Sequence, residues 1–123
     1  MTNLSKVFNE HLLEFLDEII TILPENYDIK TAKSFVTGLK RVNPKKIIES
    51  WYQYVTIPYK DIIDERDFAF FENKNYNNEV SSDLIKAVDN IKKSVKFLDE
   101  ENKKKAMKYV QNLTKLSILF KRQ

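Results

Sequence analysis

Residues 4–24 read LSKVFNEHLLEFLDEIITILP. Leu4, Phe8, Leu12, Phe15, Ile19 and Ile22 recur at three- and four-residue intervals, which aligns them on one side of an α-helix. Lys6, Glu10, Glu14, Asp17 and Glu18 fall mostly off that stripe. The segment is therefore expected to be an amphipathic helix that ends before Pro24.

The same period continues outward from this helix. Asp28 is expected to cap a second helix with Ile29, Ala32, Val36 and Leu39 on its apolar side. Gly38 would mark a close helix contact or an early stop. Asn43-Pro44 starts a third helix, Asn as cap and Pro at the first helical position, with Ile47, Ile48, Trp51 and Val55 facing inward. Ile57-Pro58 is expected to break it, because a residue before proline is pushed towards extended geometry. Pro58 opens a short helix, Asp67 caps another turn carrying Phe68, Phe70 and Phe71, and the Asn-rich run 72–79 is a loop. Ser81, Ser82 or Asp83 caps the next helix, with stripe Leu84, Val88, Ile91, Val95 and Leu98. Asp99 starts the last helix, Glu100 and Glu101 sit favourably in its first turn, and Ala106, Val110, Leu113 and Phe120 form its stripe.

Only one glycine occurs in 123 residues, far fewer than a sheet protein of this size spends on tight turns. No internal repeat or long linker divides the chain. The expectation is all-α: a compact single-domain bundle of five or six helices over 1–123. Its core should hold Phe8, Leu12, Phe15, Ile19, Ile48, Trp51, Val55, Leu84, Val88, Ile91, Val110 and Leu113.

Composition narrows chemistry as well. The chain has no cysteine, one histidine (His11) and one glycine, so thiolate metal sites, disulfides and glycine-rich phosphate loops are excluded. Asp61, Asp64 and Glu65 share a helix face with Asp67 nearby, but without the register of a calcium loop they read as a solvated face. No nucleophile motif is present. The chain is read as a non-enzyme, with no cofactor, no metal and no small-molecule substrate. No uncharged apolar run approaches membrane-spanning length, so no membrane association is expected.

Two surfaces are candidates for contact. Residues 51–76, WYQYVTIPYKDIIDERDFAFFENKNY, hold eight of the fifteen aromatics, with five carboxylates against three bases. Trp51 and the Phe residues suit the core, whereas Tyr52, Tyr54, Tyr59 and Tyr76 interleaved with Asp61, Asp64 and Arg66 suit a protein-facing surface. The second candidate is basic. Lys30, Lys33, Lys40 and Arg41 form one stripe, continued by Lys45 and Lys46. Lys104, Lys108 and Lys115 form another, flanked by Lys103, Lys105, Lys121 and Arg122. Either can track a phosphate backbone. Charge alternates in blocks: −5 over residues 1–28, +6 over 29–46, −5 over 47–85 and +7 over 86–123. Mutual neutralisation within the bundle is the expected use of such blocks.

FNEHLLEFLDEIITILPEN (8–26) and NPKKIIESWYQYVTIPYKDIIDERDFAFFENKNY (43–76) resemble a group of small uncharacterised helical proteins encoded by large DNA viruses of algae and amoebae. Leu-Pro-Glu, Asn-Pro-Lys-Lys, Trp-Tyr-x-Tyr-Val-x-x-Pro-Tyr and Asp-Phe-x-Phe-Phe carry the resemblance. It implies no activity, so no functional residue is carried over. Lys, Asn and Ile make up 41 residues against 11 for Gly, Ala, Pro and Arg, a bias of A/T-rich genomes that agrees with it. The expected function is a protein-interaction or virion-structural role through residues 51–76, by a partner or self-association. The expected location is intracellular, in host cytoplasm, viral factory or virion. The alternative is a small nucleic-acid-binding accessory protein using the basic stripes.

Overall fold

A computed structural model describes residues 3–72 and 83–123. Helix α1 (Leu4–Ile22) opens on Asn3, whose carboxamide oxygen accepts the Lys6 N–H at 3.2 Å. Its last turn closes through the Leu23 N–H on the Ile19 carbonyl before Pro24. Leu23 packs against the core while Ile22 is exposed, contrary to the expected stripe. Leu23 lies four residues after Ile19 and so follows it on the inner face as the helix ends.

Helix α2 (Tyr27–Val42) is capped by Asn26, not Asp28: Asn26 Oδ1 accepts from the Ile29 N–H at 3.1 Å. Asp28 sits in the first turn instead, where its charge suits the helix dipole. Asn26 Oδ1 also accepts from Ser94 Oγ at 3.3 Å, tying the cap to a helix 68 residues away. Gly38 marks neither a close contact nor a stop. The helix runs past it to Val42, and a Cβ placed there would meet nothing within 4 Å.

Helix α3 (Pro44–Trp51) does not break at Ile57-Pro58. It widens into a π turn over Tyr52–Thr56 and continues as α4 (Ile57–Asp64), with Ile57 helical at φ −59°, ψ −52°. The wider ring, closed by the Ile57 N–H on the Tyr52 carbonyl, accommodates a proline that a regular α-turn would clash with. Asn43 precedes the rod without a side-chain cap bond. Short α5 (Ala69–Glu72) follows, with Asp67 Oδ1 accepting the Ala69 N–H at 2.9 Å, then α6 (Asp83–Val95) and α7 (Glu100–Arg122). Asp99 Oδ1 caps α7 through the Asn102 N–H at 2.8 Å. The expected loop beyond Glu72 and the caps Ser81 and Ser82 lie outside the described residues.

With Pro44–Asp64 counted as one rod, six helices and no strand occur among the described residues. They surround one apolar core, α2 pairing most extensively with α6 and α1 with α7. All twelve positions expected in the core are buried. Each such large side chain contributes about 1.5–3 kcal/mol on leaving water. No helix of the described residues is long and apolar enough to cross a membrane.

Between the rod and α7 runs a buried polar seam. Trp51 Nε1 donates to Thr114 Oγ1 at 3.3 Å. Ser117 Oγ donates to the Thr114 carbonyl at 2.7 Å, so the 2.7 Å contact between Thr56 and Ser117 hydroxyls has Thr56 as donor. Positions 51 and 56 would lie about 140° apart on a regular α-helix; the π turn brings both onto the α7 side.

Trp51 is the sole tryptophan and is 1% exposed. Its fluorescence should be blue-shifted and resist acrylamide quenching until the chain unfolds. Trp51→Ala should lower stability by about 3–5 kcal/mol in urea denaturation, from the cavity and from the loss of the Thr114 contact. Emission like that of free indole in the native protein would contradict this packing.

Candidate functional site

The C-terminus of α4 is built around an arginine in an unusual backbone state. Arg66 has φ 57°, the one positive φ at a non-glycine among the described residues. Its N–H bonds the Ile63 carbonyl at 3.0 Å, and the Asp67 N–H reaches back to the Ile62 carbonyl at 3.1 Å. These two bonds form the helix stop that glycine most often occupies. Holding an L-residue there costs roughly 1–2 kcal/mol. The reversal throws Phe70 and Phe71 into the core and leaves Phe68 half-buried, its ring 6.4 Å from that of Phe71 and tilted by 55°.

Helix α7 faces this turn. Gln111 Nε2 donates to the Ile63 carbonyl at 3.0 Å, the same oxygen that the Arg66 N–H uses, and so fixes α7 against the end of α4. Lys104, Lys108, Gln111 and Lys115 follow at i, i+4, i+7 and i+11, one face about 16 Å long. Between the turn and this face opens a cleft of about 630 Å³. Arg66 and Phe68 line one side and Lys104, Lys105, Lys108 and Lys115 of α7 the other, together with Met107, Gln111 and Asn112 of the same helix.

Five cations line this cleft and no carboxylate does. Among the described residues none of the five forms an ion pair. Neighbouring like charges about 6–10 Å apart in water repel by roughly 0.5 kcal/mol per pair, and an anion between them reverses that sign. The cleft thus combines a fixed positive field, two carboxamides and an aromatic ring.

Other features are less coherent. Lys30, Lys33 and Arg41 line a shallow hollow beside Gly38, but Lys33 is paired with Asp17 at 2.6 Å and Lys40 does not line it. Asp64 binds Lys60 at 2.7 Å. No group of three or more His, Asp or Glu is placed to hold a metal among the described residues. His11 lies 3.9 Å from the Glu14 carboxylate and packs on the Tyr109 ring, centroids 4.8 Å apart.

The aromatic–acidic segment divides. Trp51, Val55, Ile63, Phe70 and Phe71 enter the core. Tyr59 is drawn inward, edge-on to Phe70 at 5.6 Å, and the nearly buried Lys92 ammonium lies 4.8 Å from its ring. Burial lowers the Lys92 pKa, opposed by the Asp89 charge. Tyr52 and Tyr54 are half-buried, with Lys121 over the Tyr52 ring at 5.7 Å, and Asp61 is exposed. Tyr76 lies outside the described residues. Arg66, expected among these protein-facing residues, is instead on the lysine cleft. Gln111 was legible from its spacing with the three lysines; Phe68 and Arg66 come from a distant turn and carried no local signal.

Comparison with protein-family models, curated proteins and solved structures finds no match. The reading of the cleft rests on its own geometry.

The seam between α1 and α7 carries a pH signature. Tyr109 stacks on Phe15, centroids 4.9 Å and planes 12° apart, and its hydroxyl donates to Glu14 Oε1 at 3.2 Å. Burial first, then the Glu18 and Glu14 carboxylates, raise its pKa above the usual 10. The folded chain then keeps a proton that the unfolded chain releases, so this contribution is full below pH 10 and is lost as pH rises beyond it. The stability difference between the native protein and Tyr109→Phe in urea should therefore shift against the native protein from pH 9 to pH 11. A difference independent of pH would show that the tyrosine titrates normally.

Proposed function

We propose that this chain is a non-enzymatic nucleic-acid-binding protein whose contact surface is the cationic cleft between the Arg66 turn and α7. The observation that carries this reading is the gathering, around one concave surface, of five cations that form no ion pair among the described residues, on two elements distant in sequence. Phosphates repeat along a strand, and three lysines on a straight 16 Å face offer a matching line of charge. The cleft also supplies Phe68 and the Gln111 and Asn112 carboxamides, groups suited to bases and sugars rather than to phosphate alone.

The Lys104→Ala, Lys108→Ala, Lys115→Ala triple variant tests this. Binding of a labelled oligonucleotide, followed by fluorescence anisotropy, should weaken without sequence preference. The slope of log affinity against log salt should fall by about two to three units. These side chains are exposed, so the fold should be unchanged. Undetectable binding by the native protein at low salt removes the proposal.

A second reading, protein contact through residues 51–76, is favoured by one observation: Ile57 is 64% exposed, near half-buried Tyr54 on the outer side of the rod. An interface there would be desolvated at Ile57. Ile57→Asp should then abolish any self-association detected by sedimentation velocity, at a cost to folding stability within about 0.5 kcal/mol. A native protein that sediments as a monomer at every concentration removes the self-association form of this reading.

A further inference from the structure

We propose that the cleft takes single-stranded rather than duplex nucleic acid, a base stacking on Phe68 while Arg66 holds the adjoining phosphate; this rests on the nucleic-acid reading above. Three observations carry it. The first is shape. Lys104, Lys108 and Lys115 lie on a helix face that forms one side of a cleft, and the Arg66–Phe68 turn stands as the other. A helix that reads a duplex must enter the major groove unobstructed. Here the lysine face is walled by the Arg66–Phe68 turn, an arrangement that suits one flexible strand between the two better than a duplex.

The second observation is the ring. Phe68 keeps part of its surface exposed on the cleft although its neighbours Phe70 and Phe71 are buried, and contact with Phe71 holds it in place. Within a duplex the base faces are already stacked, so a ring on the protein wall gains nothing from them. An unpaired strand presents each base face to such a ring, and cationic grooves lined by aromatics bind single strands on this principle.

The third is Arg66 itself. Glycine would complete the helix stop without the left-handed penalty. Arginine there places a planar guanidinium at the mouth of the cleft, beside Phe68 and opposite the lysines. That group bonds phosphate in a bidentate manner and stacks on bases, which an ammonium cannot do. Strain retained at a position that also lines the site is consistent with use of the side chain.

The full chain is titrated into a labelled oligothymidylate of about 12 nucleotides and into a duplex of equal length, at the same low salt. The single strand should bind roughly tenfold tighter. Phe68→Leu, which keeps apolar volume and loses the ring, should weaken single-strand binding about tenfold and leave duplex binding unchanged. Arg66→Gly should weaken single-strand binding at least about fivefold while its thermal midpoint is no lower than that of the native protein. Arg66→Lys should behave like Arg66→Gly in binding. Duplex binding as tight as single-strand binding, or full single-strand affinity in Phe68→Leu, overturns the inference. If the lysine triple variant still weakens both ligands in that case, the nucleic-acid reading stands without it. Equal competition by polyglutamate overturns both, because the cleft would then answer to charge alone. Failure of both oligonucleotides to bind also overturns both.

Discussion

The π turn at Tyr52–Thr56 and the polar seam it aligns set the position of everything that surrounds the cleft. A regular helix through Pro58 would bring the proline ring against the carbonyl four residues earlier. The wide turn removes that clash and keeps the rod continuous from Pro44 to Asp64. It also rotates Thr56 onto the same side as Trp51, so that both engage Thr114 and Ser117 of α7. Each of these bonds is buried, and leaving one partner unsatisfied would cost about 1–3 kcal/mol. The rod is therefore held to α7 in one register. Gln111 adds a final tie at the Ile63 carbonyl. One turn later the chain reaches Arg66, and its place opposite Lys104 and Lys108 follows from that register.

The cleft works against folding in two ways that the core must offset. Arg66 occupies a left-handed backbone state, and five cations are held near one another without ion-pair partners among the described residues. Together these terms amount to a few kcal/mol, which a core of this extent can absorb. The contrast with Lys92 is informative. That lysine is nearly buried, faces the Tyr59 and Phe70 rings at 4.8 and 4.6 Å, and has a lowered pKa from burial. Its charge is absorbed into the fold, whereas the cleft lysines keep theirs directed at solvent.

Periodicity made the helices and core legible, because burial of a stripe is decided by spacing within a few turns. The stripes of α1, α6 and α7 needed no tertiary information, apart from the switch from Ile22 to Leu23 at a helix end. Local rules failed where tertiary packing overrode a preference. Ile57 stayed helical before proline because a π turn made room, and Asn26 displaced Asp28 as cap with support from Ser94. The aromatic segment divides for a related reason. Trp51, Phe70 and Phe71 enter the core as their type suggests, whereas Tyr59, expected at the surface, is drawn inward against Phe70 with the Lys92 ammonium of α6 over its ring. The lysine face of α7 was visible in the sequence, but Arg66 and Phe68 were not, since a cleft between elements about 40 residues apart leaves no spacing to read.

Alternating charge blocks invite the expectation that the blocks neutralise one another. Among the described residues little of that happens through direct contact. Between blocks, one ion pair occurs among the described residues, Lys33 with Asp17. Exposed pairs contribute only about 0–1 kcal/mol each, so the fold gains little from making more of them. Helix packing is instead set by apolar stripes and by the Trp51–Thr114 seam, and charges fall where those contacts leave them. For the most basic block this outcome gathers Lys104, Lys105, Lys108 and Lys115 along one side of α7, where Lys105 and Lys108 also border a hollow shared with Glu18 of α1. A cationic field of this kind acts over about 8 Å at physiological salt and would attract a polyanion before any specific contact forms. On the proposed reading, the ring and the guanidinium would then select among polyanions.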